Sequence, residues 1–100
     1  MVDAQALEIG TTYFTIFYAD QKLRFPVVET YIYLGRDGPD HVFQTARSFH
    51  QRGNWNKMTA ADRAEFEVSP LFVLDSESLD PIVDISGLVT EMNDTLERLE

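Results

Sequence analysis

The chain has 100 residues, a formal net charge of −9, 44% hydrophobic and 25% charged residues, and no cysteine. That is the length of one domain, expected to bury roughly 60–70% of its unfolded surface, with a composition well away from the disordered class. Without cysteine there is no disulfide, thiolate metal site or cysteine nucleophile. No window approaches the roughly 20 apolar residues that span a bilayer, and no signal peptide is visible at Met1–Gln5. A single cytoplasmic domain over residues 1–100 is the expectation.

Val2 to Glu8 reads as a frayed helical turn or loose lead-in that Gly10 ends. Thr11 to Tyr18 is rich in β-branched and aromatic residues and reads as a strand. Asp20-Gln21-Lys22 is a turn, and Val27 to Leu34 a second strand, with Pro26 at its start because it lacks an amide donor. Strand alternation sets Tyr13, Thr15 and Phe17 apart from Phe14, Ile16 and Tyr18. In the second strand it sets Val28, Thr30, Ile32 and Leu34 apart from Val27, Glu29, Tyr31 and Tyr33. The Val28, Ile32 and Leu34 side is the expected core. The side with Tyr13, Tyr31 and Tyr33 is expected to be a partly exposed aromatic face, since phenols need water or partners.

Arg36-Asp37-Gly38-Pro39-Asp40 is the clearest turn, and His41–Gln44 a short returning strand. Thr45 then caps a helix over Ala46–Arg52, with Ala46, Phe49 and His50 facing inward and Gly53 at C′. Asn54–Lys57 is a polar connection that carries the only tryptophan. Thr59 and Asp62 form a capping box variant for a second helix over Ala60–Val68, which Ser69-Pro70 stops. Leu71–Leu74 reads as a buried strand, and Pro81–Ile85 as the start of a helical turn. Ser86 to Leu99 is an amphipathic helix whose apolar stripe is Ile85, Val89, Met92, Leu96 and Leu99. The sum is an α+β fold: an antiparallel sheet of the N-terminal hairpin plus one or two short strands, two short helices, and the C-terminal helix.

Charge is unevenly spread. Residues 1–60 carry six basic and six acidic side chains, whereas residues 61–100 carry two basic and eleven acidic. Between His41 and Ala61 there is no acid, against Arg47, Arg52 and Lys57. Three cations and Trp55 make a small footprint for single-stranded nucleic acid, and the net charge repels phosphate, so no nucleic-acid partner is expected. A basic patch that meets an acidic partner, or the acidic end of a second copy, fits better. An acidic helix also has the wrong sign for anionic membranes, so no membrane partner is expected.

No nucleotide-binding, zincin or nucleophile-elbow motif is present. His41 and His50 lie near Asp37 and Asp40 but at no spacing that enforces a metal site. Asp75, Glu77, Asp80 and Asp84 lack the glycine and closing glutamate of a calcium loop. No metal and no cofactor are therefore assigned. The C-terminal stripe has two readings: a ridge docked on its own sheet, or a coiled-coil seam two heptads long.

Two functions are legible. The first is a non-enzymatic protein-interaction domain, with homo-oligomerisation included. It would act through an aromatic face (Tyr13, Tyr31, Tyr33) or the helix (Val89, Met92, Leu96). Eight of the twelve aromatic residues lie between Tyr13 and Phe43. The second is a small enzyme or ligand-binding domain with a pocket lined by Tyr33, His41, His50 and Trp55.

Overall fold

The computed structural model describes residues 4–99, so Val2 and Asp3 of the expected lead-in lie outside the described residues. Five antiparallel strands form one sheet in the order β4-β3-β2-β1-β5. They are β1 (Thr12–Tyr18), β2 (Pro26–Asp37), β3 (Asp40–Thr45), β4 (Leu71–Asp75) and β5 (Ile82–Val83). The helices are α1 (Ala46–Arg52), α2 (Ala60–Ala64) and α3 (Ile85–Leu99), with 3₁₀ turns at Ala4–Ala6 and Trp55–Lys57. The α+β architecture with a small antiparallel sheet is as the sequence implies.

The hairpin β1–β2 pairs Thr12 with Ile32 and Tyr18 with Pro26. Its connection is a loop rather than a tight turn, organised by the Asp20 carboxylate. That group accepts the backbone N–H of Arg24 (2.8 Å) and of Phe25 (2.9 Å). Burial acts to raise the Asp20 pKa, but these N–H bonds and the Arg24 side chain hold it below its ordinary value. Further along, β2 runs three residues past Leu34 into the turn. The register with β3 shifts between Tyr33 and Gly35, so a bulge bends the strand there. Gly35 takes φ +126, and a Cβ on it would press on the Ile9 side chain at 3.3 Å. The bulge position is therefore one only glycine fills without strain.

Alternation along the paired strands gives the sheet two unlike faces. One carries Tyr13, Tyr31, Tyr33, His41, Phe43, Phe72, Leu74 and Ile82. On it Tyr13, Tyr33, Phe43, Leu79 and Ile82 form the buried core, with Leu7, Tyr31, Phe72 and Leu74 packed around them. The rings meet edge-on or tilted, Tyr13 to Phe43 at 6.2 Å and Tyr33 to Phe43 at 5.2 Å, while Tyr31 stacks on Phe72 at 5.0 Å. This corrects the expected exposed aromatic face: Tyr13 and Tyr33 are core residues and Tyr31 is half-buried. The reason is that Leu79 and Leu7 close over that face, and the phenols find internal partners. Tyr13 accepts the Glu8 N–H at 3.0 Å, and Tyr33 bonds His41 Nδ1 at 2.8 Å.

The opposite face carries the helices, with α1 against β2 and β3, and α3 against β1 and β5. Ile32 and Leu34 are buried there, as expected, while Val28 is exposed. α1 ends at Gly53 (φ +87), whose N–H bonds Phe49 O at 2.8 Å. Thr45 does not cap α1 with its side chain; its hydroxyl donates to Ser48 Oγ instead. The inward residue of α1 is Ser48, whereas Phe49 is half-buried and His50 exposed.

Three further expectations are revised. α2 has its capping box of Thr59 and Asp62 but stops at Ala64, short of Val68. Residues 82–83 form β5 rather than a helical turn, because Ile82 pairs beside Thr15 and fills the core. And β4 is an edge strand, not a buried one.

Candidate interaction surface

The approach of α3 to the sheet is set at its first turn. A Cβ on Gly87 would meet Val83 Cβ at 3.0 Å, so glycine lets the helix lie close to β5. Asp84 Oδ1 accepts the Gly87 N–H at 2.9 Å and fixes the start. Two turns further on, the contact with β1 is polar. The Tyr18 hydroxyl donates to Glu91 Oε1 at 2.6 Å and lies 2.9 Å from Thr95 Oγ1. Arg98 Nη2 donates to that same hydroxyl at 2.7 Å, and Arg98 Nε reaches the Leu23 carbonyl at 2.7 Å. The guanidinium lies 5.2 Å from the Tyr18 ring centroid. Burial and the Glu91 carboxylate push the Tyr18 phenol above its ordinary pKa, which keeps the proton that the bond to Glu91 uses.

The side of α3 turned to the sheet is thus Gly87, Leu88, Glu91, Thr95 and Arg98, with Thr95 buried. The apolar stripe is turned away. Ile85 is 61% exposed, Val89 52%, Leu96 59% and Leu99 54%, with Met92 half-buried between them. Docking of this stripe on its own sheet is therefore corrected, and the physical reason is the Tyr18–Glu91–Thr95–Arg98 cluster. Thr95 is buried and must be paired, and the half-buried Tyr18, Glu91 and Arg98 join it in one hydrogen-bonded cluster that fixes the rotation of the helix. The ridge that results repeats at steps of four and three, and its exposed flanking positions Ser86 and Asn93 are uncharged.

The expected pocket of Tyr33, His41, His50 and Trp55 does not assemble. Tyr33 and His41 lie on the aromatic face, Trp55 on the helix face, and His50 at the exposed surface of α1. His41 is buried and bridges Tyr33 Oη (Nδ1, 2.8 Å) to Ser76 Oγ (Nε2, 2.8 Å). Burial, then the Arg36 charge, lower its pKa, and Asp40 only partly opposes them. The chain Tyr33–His41–Ser76 ties the β4–β5 loop to the core. A serine bonded to imidazole is the pairing used for nucleophilic attack, but this imidazole faces the protein interior.

Trp55 instead helps line a cavity of about 350 Å³ with Leu34, Val42, Leu71, Val73 and Arg36. The indole is held between Phe66 (5.7 Å) and the Arg63 guanidinium (5.0 Å), which also donates to the Trp55 carbonyl at 2.9 Å. Its backbone is fixed by Gln44, whose Oε1 accepts the Trp55 N–H at 2.9 Å. Sequence reasoning missed Gln44 entirely, although a lone amide inside an apolar strand was the available signal. Among the described residues no group of three or more His, Asp or Glu side chains is placed to hold a metal ion. Asp75 and Asp84 accept backbone N–H groups of their own turns. No helix among the described residues is long and apolar enough to cross a membrane. No protein family, curated protein or solved structure matches this chain.

Proposed function

We propose that this chain is a non-enzymatic protein-interaction domain that engages an amphipathic helix of a partner through the outward ridge of α3. The observation that carries the reading is the orientation of that helix. Its polar edge is held against the sheet while Ile85, Val89, Leu96 and Leu99 stand in water. A contiguous apolar ridge on so small a chain marks an interaction site, because side chains left about half exposed forgo about half of the roughly 1.5–3 kcal/mol that full burial of each supplies. The 4-3-4-3 spacing suits packing against the ridge of another helix.

Charge selects the partner. The bias comes from the C-terminal part as a whole rather than from groups beside the ridge: residues 61–100 carry eleven acids and two bases. That acidic field disfavours a second α3 and steers in a helix that carries lysine or arginine beside its apolar ridge. The test is titration with a synthetic helical peptide carrying leucine at heptad ridge positions and lysine at the flanks. Saturable binding is expected, weakened at least tenfold by Val89→Asp or Leu96→Asp with the circular dichroism unchanged. Equal binding by the variants and the wild type would remove the ridge from the account.

A further inference from the structure

The sheet has one long open edge, and its free backbone groups follow from the ladder. Thr45 N–H bonds the Pro70 carbonyl at 2.8 Å, so the bonded positions of β4 are Pro70, Phe72 and Leu74. The backbone groups of Leu71, Val73 and Asp75 point away from β3. Of these, the Leu71 N–H bonds Ser69 Oγ at 3.2 Å, and the Asp75 carbonyl accepts the Ser78 N–H at 3.1 Å. Among the described residues, the Leu71 carbonyl, both groups of Val73 and the Asp75 N–H are left over.

That set is complementary to itself about a two-fold axis at Val73. Two copies set antiparallel there would exchange a pair of bonds between their Val73 residues, each Leu71 carbonyl accepting the other copy's Asp75 N–H. The side chains agree. In that register Val73, 48% exposed, would meet its own copy, and half-buried Phe72 would face the other copy's Leu74. Charge agrees as well. The antiparallel register brings the Asp75–Glu77 turn of one copy to the Ser69–Pro70 end of the other. Beside that end, Arg47 lines the surface with Val68, Ser69 and Pro70 and makes no ion pair among the described residues. The run Leu-Phe-Val-Leu carries no lysine or proline to blunt the open edge, and Pro70 just before it has its nitrogen on the β3 side.

We infer that β4 pairs antiparallel with β4 of a second copy, joining two sheets into one of ten strands with Arg47 facing the acidic turn of the other chain. This surface lies at the opposite end of the strand order from α3, so the dimer carries two helix ridges and binds a two-site partner with added avidity. Sedimentation analysis over a concentration series tests it. The expected species has twice the 11.5 kDa chain mass. Val73→Lys is expected to weaken dimerisation at least tenfold. Arg47→Glu is expected to weaken it and Glu77→Arg in the same chain to restore it. Should Val73→Lys fail to fold, amide exchange in the wild type decides, since Val73 and Asp75 amides should slow as concentration rises. A wild type that stays monomeric, or a dimer that survives Val73→Lys but is lost in Val89→Asp, overturns the inference. Peptide binding by α3 is measured separately and fails or holds independently.

Discussion

Gln44 is fully buried and uses both ends of its amide. Nε2 donates to Ser48 Oγ (3.1 Å) and Gly53 O (3.0 Å), while Oε1 accepts from Trp55. Replacing it with Leu strands the Trp55 N–H and the Gly53 carbonyl, at a cost of about 2–3 kcal/mol. Urea unfolding should report that loss, with Trp55 fluorescence shifted to longer wavelength. His41 is the second informative residue. Its folded pKa is lowered, so the unfolded chain binds more protons as pH falls through and below the ordinary histidine value of 6.5. Stability is therefore fully present above that value and declines below it. Thermal melts of the wild type and His41→Gln from pH 8 to pH 5 should differ in slope, the variant showing less loss. Equal slopes would mean that other groups carry the acid sensitivity. Neither residue's role was legible in the sequence. Alternation placed His41 beside Tyr33, but only the fold brings Ser76 to its other nitrogen.

At the scale of elements, the positions of β1 to β4, α1 and α3 were well signalled because hydrophobic period and turn residues are local, whereas the two-residue β5 and the early end of α2 were not. What alternation could not supply was which covered face is the core. Leu79, from a loop that reads as merely acidic, closes the aromatic face and reverses the expectation for Tyr13 and Tyr33. The rotation of α3 was hidden for a related reason. Its apolar stripe is the strongest local signal, but Tyr18, far away in sequence, pairs with Glu91 and Thr95 and turns the stripe outward. Tyr18→Phe should therefore destabilise by about 1–2 kcal/mol and speed amide exchange in α3, leaving β2 and β3 protected. Unchanged exchange across α3 would mean the hydroxyl cluster does not hold the helix. The misreading of β4 as a buried strand is similar. An apolar run fits either a central strand or an edge that a second copy covers, and periodicity alone does not separate them.

The whole molecule is a slab of 50 × 29 × 19 Å with the acidic helix ridge near one end of the sheet order and the open β4 edge at the other. The uneven charge was legible in the sequence, and it is the property on which both proposed contacts depend. High salt should weaken binding of the basic peptide at α3, because salt screens its attraction to the acidic excess of residues 61–100. Titrations at low and high ionic strength check that sign. The ridge itself is tested most directly by placing a photo-cross-linking amino acid at Leu96, and in a parallel strain at Asn56 beside the Trp55 cavity. Cross-linking is done in the cells that make the protein, and the attached peptide is sequenced. The account predicts one product from Leu96, joined to an amphipathic helical segment flanked by lysine or arginine. A product from Asn56 with none from Leu96 would contradict it and make the cavity, not the helix, the working site.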